Sequence, residues 1–155
     1  VTPAKIPNRT REVFIPVDAG YEAIASDQRG IYLPKDVKTW VSGHSVIPLD
    51  FAASAYLIPV ICTPGFASGT GLSASIGCSC SIAANGEASN THTVLTSYVV
   101  LEDPLNTVVF LDAMALPDAA SGDTLGVMLV RNGDTDTSDE TFYLRGFILR
   151  YTADS

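Results

Sequence analysis

Charge is scarce in this sequence. Only 17% of its 155 residues are Asp, Glu, Lys or Arg, against roughly 25% in soluble domains generally. A surface so thinly charged points to covering by partner subunits or by a larger assembly. Basic residues are scarcer still. Nine Lys and Arg against 17 Asp and Glu give a formal net charge of −8 and a pI near 4.4, which argues against a nucleic-acid binder and its basic stripe. No apolar run approaches the roughly 18 residues of a membrane-spanning helix. The longest, "FAASAYLIPVICTPGF", is broken by Pro59, Pro64 and Gly65. The opening "VTPAKIPNRTREVF" lacks the apolar core of a secretory signal.

Cysteine and histidine are also few. Cys62, Cys78 and Cys80 are an odd number and form no closed disulfide framework, although one bridge to Cys62 stays open. The Cys78-Ser79-Cys80 spacing is too tight for a zinc ligand pair. On a strand both thiols share a face with Ile76 and Ile82, while Gly77, Ser79 and Ser81 form the other, so both are read as small buried hydrophobes. His44 and His92 are the only histidines. Neither lies in a nucleophile motif, and each reads as a strand-surface or turn residue. Asp50, Glu102, Asp103 and Asp112 fall at strand ends, where acids serve turns, rather than as a catalytic carboxylate pair. "GFASGTGLS" (65–73) has spaced glycines but not the Lys-Ser/Thr of a phosphate loop. No cofactor or metal site is expected, and no enzymatic activity.

Helical periodicity is nearly absent, whereas strand signals are plentiful. Strands are predicted near 11–17, 30–33, 38–50, 55–63, 72–83, 92–102, 106–112, 124–131 and 141–151. Eight or nine short strands without helical alternation predict an all-β sandwich or barrel. Within "TLGVMLVR", Leu125, Val127, Leu129 and Arg131 share one face, and Gly126, Met128 and Val130 the other. Within "TFYLRGFILRY", Phe142, Leu144, Gly146, Ile148 and Arg150 alternate with Tyr143, Arg145, Phe147, Leu149 and Tyr151. Both strands carry large apolar groups on both faces, which predicts that their outer faces meet another molecule.

Between these strands, "DTDTSDE" (134–140) places four acids in seven positions. The EF-hand template wants Gly at its sixth position and Glu at its twelfth, but Asp139 and Arg145 stand there. With Asn132-Gly133 beside it, the segment reads as a solvated hairpin loop; an irregular calcium site is the alternative. Trp40, Tyr32 and Tyr98 are candidates for a sugar platform, although a single strand Trp is more often core.

The passage "SGDTLGVMLVRNGDTDTSDETFYLRGFILRY" (121–151) resembles a jelly-roll domain recurrent in tailed-phage virion proteins. "IYLPKDV" (31–37) and "SVIPLDFAASA" (45–55) resemble that family's opening strand, Leu-Pro step and first long strand. Glu140-Thr141 departs from the usual Asp-Thr, as does the cysteine-bearing middle strand. The resemblance implies capsid decoration (cement) proteins or tail-fibre and baseplate modules, commonly trimers, with no catalytic residues to transfer.

The expectation is therefore a jelly-roll β-sandwich of about eight strands over residues 21–155, preceded by an extended arm over residues 1–20. Pro3 and Pro7 favour the arm's extended course, and such an arm gains by pairing with a neighbour's sheet edge. The expected function is a non-enzymatic, homotrimeric decoration protein on the virion capsid surface. Its major-capsid-protein contacts would come from Lys5, Ile6, Arg9, Arg11, Val13, Phe14 and Ile15. Its subunit interface would use Tyr143, Phe147, Leu149 and Tyr151. Neither nucleic acid nor membrane is an expected partner. The alternatives are a tail-fibre or receptor-binding module and a carbohydrate-binding module.

Overall fold

Period-two alternation organises the chain, because nearly every strand buries one face and frees the other. The computed structural model describes residues 9–17, 26–69 and 71–154. Its strands are β1 (Arg9–Ile15), β2 (Ser26–Asp27), β3 (Gly30–Leu33), β4 (Lys38–Val46), β5 (Phe51–Cys62) and β6 (Ser73–Ala83). They continue with β7 (His92–Leu101), β8 (Val108–Phe110), β9 (Met114–Ala115), β10 (Thr124–Asn132) and β11 (Phe142–Ala153). No helix occurs among the described residues.

Two antiparallel sheets face each other in a jelly-roll-type sandwich. One sheet runs β2-β3-β11-β5-β8, with β1 pairing β11 and β9 pairing β5; the other runs β4-β10-β6-β7. The core fills the space between them. Val41, Ile76, Cys78, Cys80, Ile82, Leu125, Val127 and Leu129 come from the four-stranded sheet. Leu33, Leu57, Ile61, Leu144, Phe147 and Leu149 come from the other. Cys78 and Cys80 are buried free thiols on the Ile76–Ile82 face, as their spacing predicts, and the buried Cys62 thiol donates to Thr63 O at 3.6 Å.

Residues 9–15 correct the expectation of an arm lying on a neighbour. They are the edge strand β1, paired in continuous register from Arg9↔Ala153 to Ile15↔Phe147. Ile15 is fully buried in the core, and Val13 packs against it. Arg11 pairs with Asp50 at 3.0 Å, and Arg150 with Glu12 at 2.8 Å. Intrachain pairing thus occupies the sheet edge that a neighbour was expected to supply. Of the expected anchors, Phe14 remains over half exposed. Lys5 and Ile6 lie outside the described residues.

The closing strand carries a second correction. Its pairing with β5 slips between Leu144 and Gly146, leaving Arg145 as the extra residue of a bulge. Beyond the bulge the side-chain parity reverses, so Phe142 and Leu144 share the inward face with Phe147, Leu149 and Tyr151. A straight reading of the sequence divides this single core face between two, which is why both seem apolar. Phe147, Leu149 and Tyr151 therefore belong to the core. Tyr143 is covered as well, by the Tyr32 ring at 5.3 Å and the Arg29 guanidinium at 4.1 Å. All four residues assigned to a subunit interface are buried within the chain.

Candidate functional site

Strand β10 behaves as its alternation predicts. Leu125, Val127, Leu129 and Arg131 point inward, and Met128 remains 42% exposed on the other side. It is central, between β4 and β6. Nothing else in the described chain covers its outer face, so the open surface of the four-stranded sheet is the candidate site.

Cross-strand register builds that surface in rows. Trp40, Val130, Gly77 and Ser97 form one row. Ser42, Met128, Ser79 and Leu95 form the next, followed by His44, Gly126, Ser81 and Thr93. Gly77, Ser79, Gly126 and Ser81 keep the middle of the rows low, apart from Val130 and Met128 on β10. Larger side chains stand at the flanks: Trp40 is 52% exposed and Leu95 75% exposed.

A cavity of about 560 Å³ lies over the His44–Gly126–Ser81 row, with Ser42, Ser79 and Met128 on its floor and Ser89 and Asn90 on its rim. The rim loop is braced by its own turns. Glu87 N donates to Ala84 O at 3.1 Å, Ala84 N to the Glu87 carboxylate at 2.8 Å, and the Thr91 hydroxyl to Ala88 O at 2.6 Å. A smaller apolar hollow of about 160 Å³ adjoins it, between Leu95, Met128 and Val130.

The β7 flank is distinct. This strand ends the sheet and contains no charged residue, proline or glycine along "HTVLTSYVVL". Leu95, Val99 and Leu101 stand out from its outer face. Exposed edges normally carry charge, proline or a bulge that discourages pairing with other chains. β7 has none of these.

The Asp-rich loop is solvated at Asp134, Thr135, Thr137 and Asp139, as its composition predicts, but not at Asp136 or Ser138. Asp136 is an ion-pair partner of the buried Arg131, and its carboxylate also accepts from Ser75 N at 3.1 Å. Thr137 and Ser138 dock on Ser73 of β6. Ser138 donates to Glu102 at 2.6 Å. Asp139 lies at the surface, where a hydrogen bond from Ser68 holds its carboxyl below the usual range. Among the described residues, no group of three or more His, Cys, Asp or Glu side chains is placed to hold a metal ion.

The three aromatics proposed as a platform are not brought together. Trp40 stands on the open face, whereas Tyr98 turns inward and donates to Asp112 O at 2.7 Å. Tyr32 packs on its cross-strand partner Tyr143, both in the seven-stranded sheet and away from the sheet that carries Trp40. His92 faces Asp118 at 3.7 Å. His44 lines the cavity, a role its plain polar context in the sequence did not signal. The Gly77-Ser79-Ser81 face and the uncharged β7 segment were the available signals for this surface.

No family model matches the sequence, and no curated protein matches it. Among solved structures, the chain is similar to TmCBM61 in complex with β-1,4-galactotriose. The TM-score is 0.40 and the identity 9%, over 92% of this chain and 87% of that one.

Proposed function

We propose that this chain is a non-enzymatic structural protein of a virion, a capsid decoration protein that assembles as a homotrimer on the major capsid protein. The observation that supports assembly is strand β7. It offers ten residues of unprotected, uncharged edge, with Leu95 75% and Val99 74% exposed. Burying such side chains stabilises association by roughly 1.5–3 kcal/mol each. In a ring of three, the β7 flank of one subunit would lie against a different patch on the next, a heterologous contact that closes. The virion assignment rests on the resemblance of residues 121–151, 31–37 and 45–55 to tailed-phage jelly-roll proteins. A protein that binds only the assembled shell stabilises that shell by mass action.

Light scattering on the purified chain tests the assembly step. The expected mass is three times 16.4 kDa, with Leu95→Lys/Val99→Lys reduced to a folded monomer. Sedimentation with expanded capsid shells then tests the partner. A native chain that stays monomeric at high concentration and does not sediment with shells would contradict the proposal.

A further inference from the structure

We propose that the cavity on the open sheet face is a binding site for a neutral saccharide. This goes beyond the structural role above and uses different residues, on β4, β10 and the β6–β7 loop rather than the β7 flank. Four observations carry it.

The first is unspent hydrogen-bonding capacity. Thr124 donates to Ala83 O, and Ser81 and Thr93 approach each other at 3.4 Å. By contrast, the side chains of Ser42, His44, Ser79 and Asn90 make no hydrogen bond within the described chain. Hydroxyl, imidazole and amide groups can each donate or accept, which suits a ligand whose hydroxyls do both.

The second is the absence of ionic side chains from the cavity lining among the described residues, although the protein carries a net charge of −8. A charged ligand would find no counter-ion there, and a neutral one needs none.

The third is shape. Gly126 is the low point of its row, with Ser81 on one side and the His44 ring leaning over it on the other, 3.7 Å from where a Cβ would stand. The imidazole thus forms one wall of the hollow against which a sugar ring would lie. The volume of about 560 Å³ falls within the roughly 300–1,000 Å³ of small-molecule sites.

The fourth is Trp40. It lies two residues along β4 from Ser42 on the same face, about 7 Å further on. Its indole is half exposed, with the Lys38 ammonium 5.4 Å from the ring centre on one face, and a second sugar ring would stack its apolar side on the face that Lys38 does not cover. The Asn90 rim encloses the opposite end.

The experiment is calorimetric titration of the full chain with maltotriose, cellotriose and mannotriose, with a sulfated trisaccharide as the charged comparison. At least one neutral sugar is expected to bind and the sulfated one not. Gly126→Val fills the depression. A Cβ at Gly126 would meet only the His44 ring, at an ordinary 3.7 Å, and the β-branched side chain suits a strand. Asn90→Ala changes only the exposed rim. Each is expected to weaken binding about tenfold or more, with the thermal transition unchanged. Leu95→Lys/Val99→Lys is expected to bind as the native chain does, which separates this site from the assembly reading. No binding of any neutral trisaccharide at millimolar concentration overturns the proposal. So does stronger binding of the sulfated sugar, native binding by both cavity variants, or loss of binding in the β7 variant.

Discussion

Arg131 and Asp136 meet side-on inside the protein. Nε lies 3.0 Å from Oδ2 and Nη2 lies 3.2 Å from Oδ1, with the side chains 0% and 2% exposed. The remaining donors of Arg131 reach Leu33 O at 2.6 Å, Glu140 O at 2.6 Å and Ser138 O at 2.9 Å. The guanidinium also lies 5.1 Å from the centre of the Phe142 ring. One side chain thus ties the end of β10 to β3 and to the loop leading into β11. The fork geometry of arginine is what permits this, since lysine has no planar bidentate pair.

Removing either partner leaves a buried charge uncompensated, at a cost of about 3–5 kcal/mol. Asp136→Ala is therefore expected to lower Tm by roughly 6–20 °C for a chain of this size. Arg131→Lys should fall between native and Asp136→Ala. Thermal denaturation followed by circular dichroism checks both. An Asp136→Ala transition within a degree of native would show that the loop stands without the pair.

The same loop shows where the sequence was legible and where it was not. Alternation marked β6 and β10 correctly, because each is central with one buried face of unbroken parity. Composition suggests that clustered acids are solvated, which holds for Asp134 and Asp139 but not for Asp136. The sequence signal for this is Arg131, the last member of an inward face otherwise made of Leu125, Val127 and Leu129. A charge on that face requires a buried acid, and Asp136 is five residues away. The open cavity is not legible in the sequence for a different reason. Its residues come from three strands and a loop, and only the register brings His44, Gly126 and Ser81 into one row.

Gly146 is the point at which the closing strand resisted reading, and it yields a second prediction. Its φ of +148° belongs to a region that residues with a side chain rarely adopt. An added Cβ would lie 2.9 Å from Ile15 O and would collide with the Phe14 ring. Gly146→Ala is expected to destabilise the fold by about 1–3 kcal/mol through backbone strain, and further by displacing Phe14 from β11. Urea denaturation checks the magnitude, and a fluorescence or NMR probe near Phe14 checks the mechanism. An unchanged midpoint would mean that the bulge tolerates a side chain.

Glu102 offers a change in the opposite direction. It is 1% exposed, accepts from Ser138 through Oε1 at 2.6 Å, and has no partner for Oε2 among the described residues. Glutamine keeps the acceptor for Ser138, and a neutral amide costs less to bury than a carboxylate. Glu102→Gln is expected to raise stability by roughly 1 kcal/mol, read as a higher denaturation midpoint. Glu102→Leu leaves the Ser138 hydroxyl without its acceptor and is expected to lower it. If Gln and Leu shift the midpoint equally, the bond to Ser138 contributes nothing.

The buried cysteines fix the response to alkali. Burial pushes the Cys78 thiol from 9.0 up to about 12. Burial, with the neighbouring Cys78 adding to it, does the same for Cys80. Burial also raises the Tyr98 phenol from 10.0 to about 12, aided by Cys78 and Asp112. In the unfolded chain these groups lose their protons near their ordinary values, whereas in the folded chain they keep them. Above pH 9 the unfolded state therefore binds fewer protons than the folded one, and stability falls as pH rises. The contribution is fully present below pH 9 and disappears as pH passes through 12. Denaturation midpoints are expected to stay level up to pH 9 as far as these groups are concerned, then decline. The decline should be shallower in Cys78→Ala/Cys80→Ala, which has fewer groups to titrate. Because the thiolate is the reactive species, a thiol reagent at neutral pH is expected to label the folded chain at the rate of unfolding. Fast stoichiometric labelling of Cys78 and Cys80 under native conditions would show that this side of the core opens to solvent.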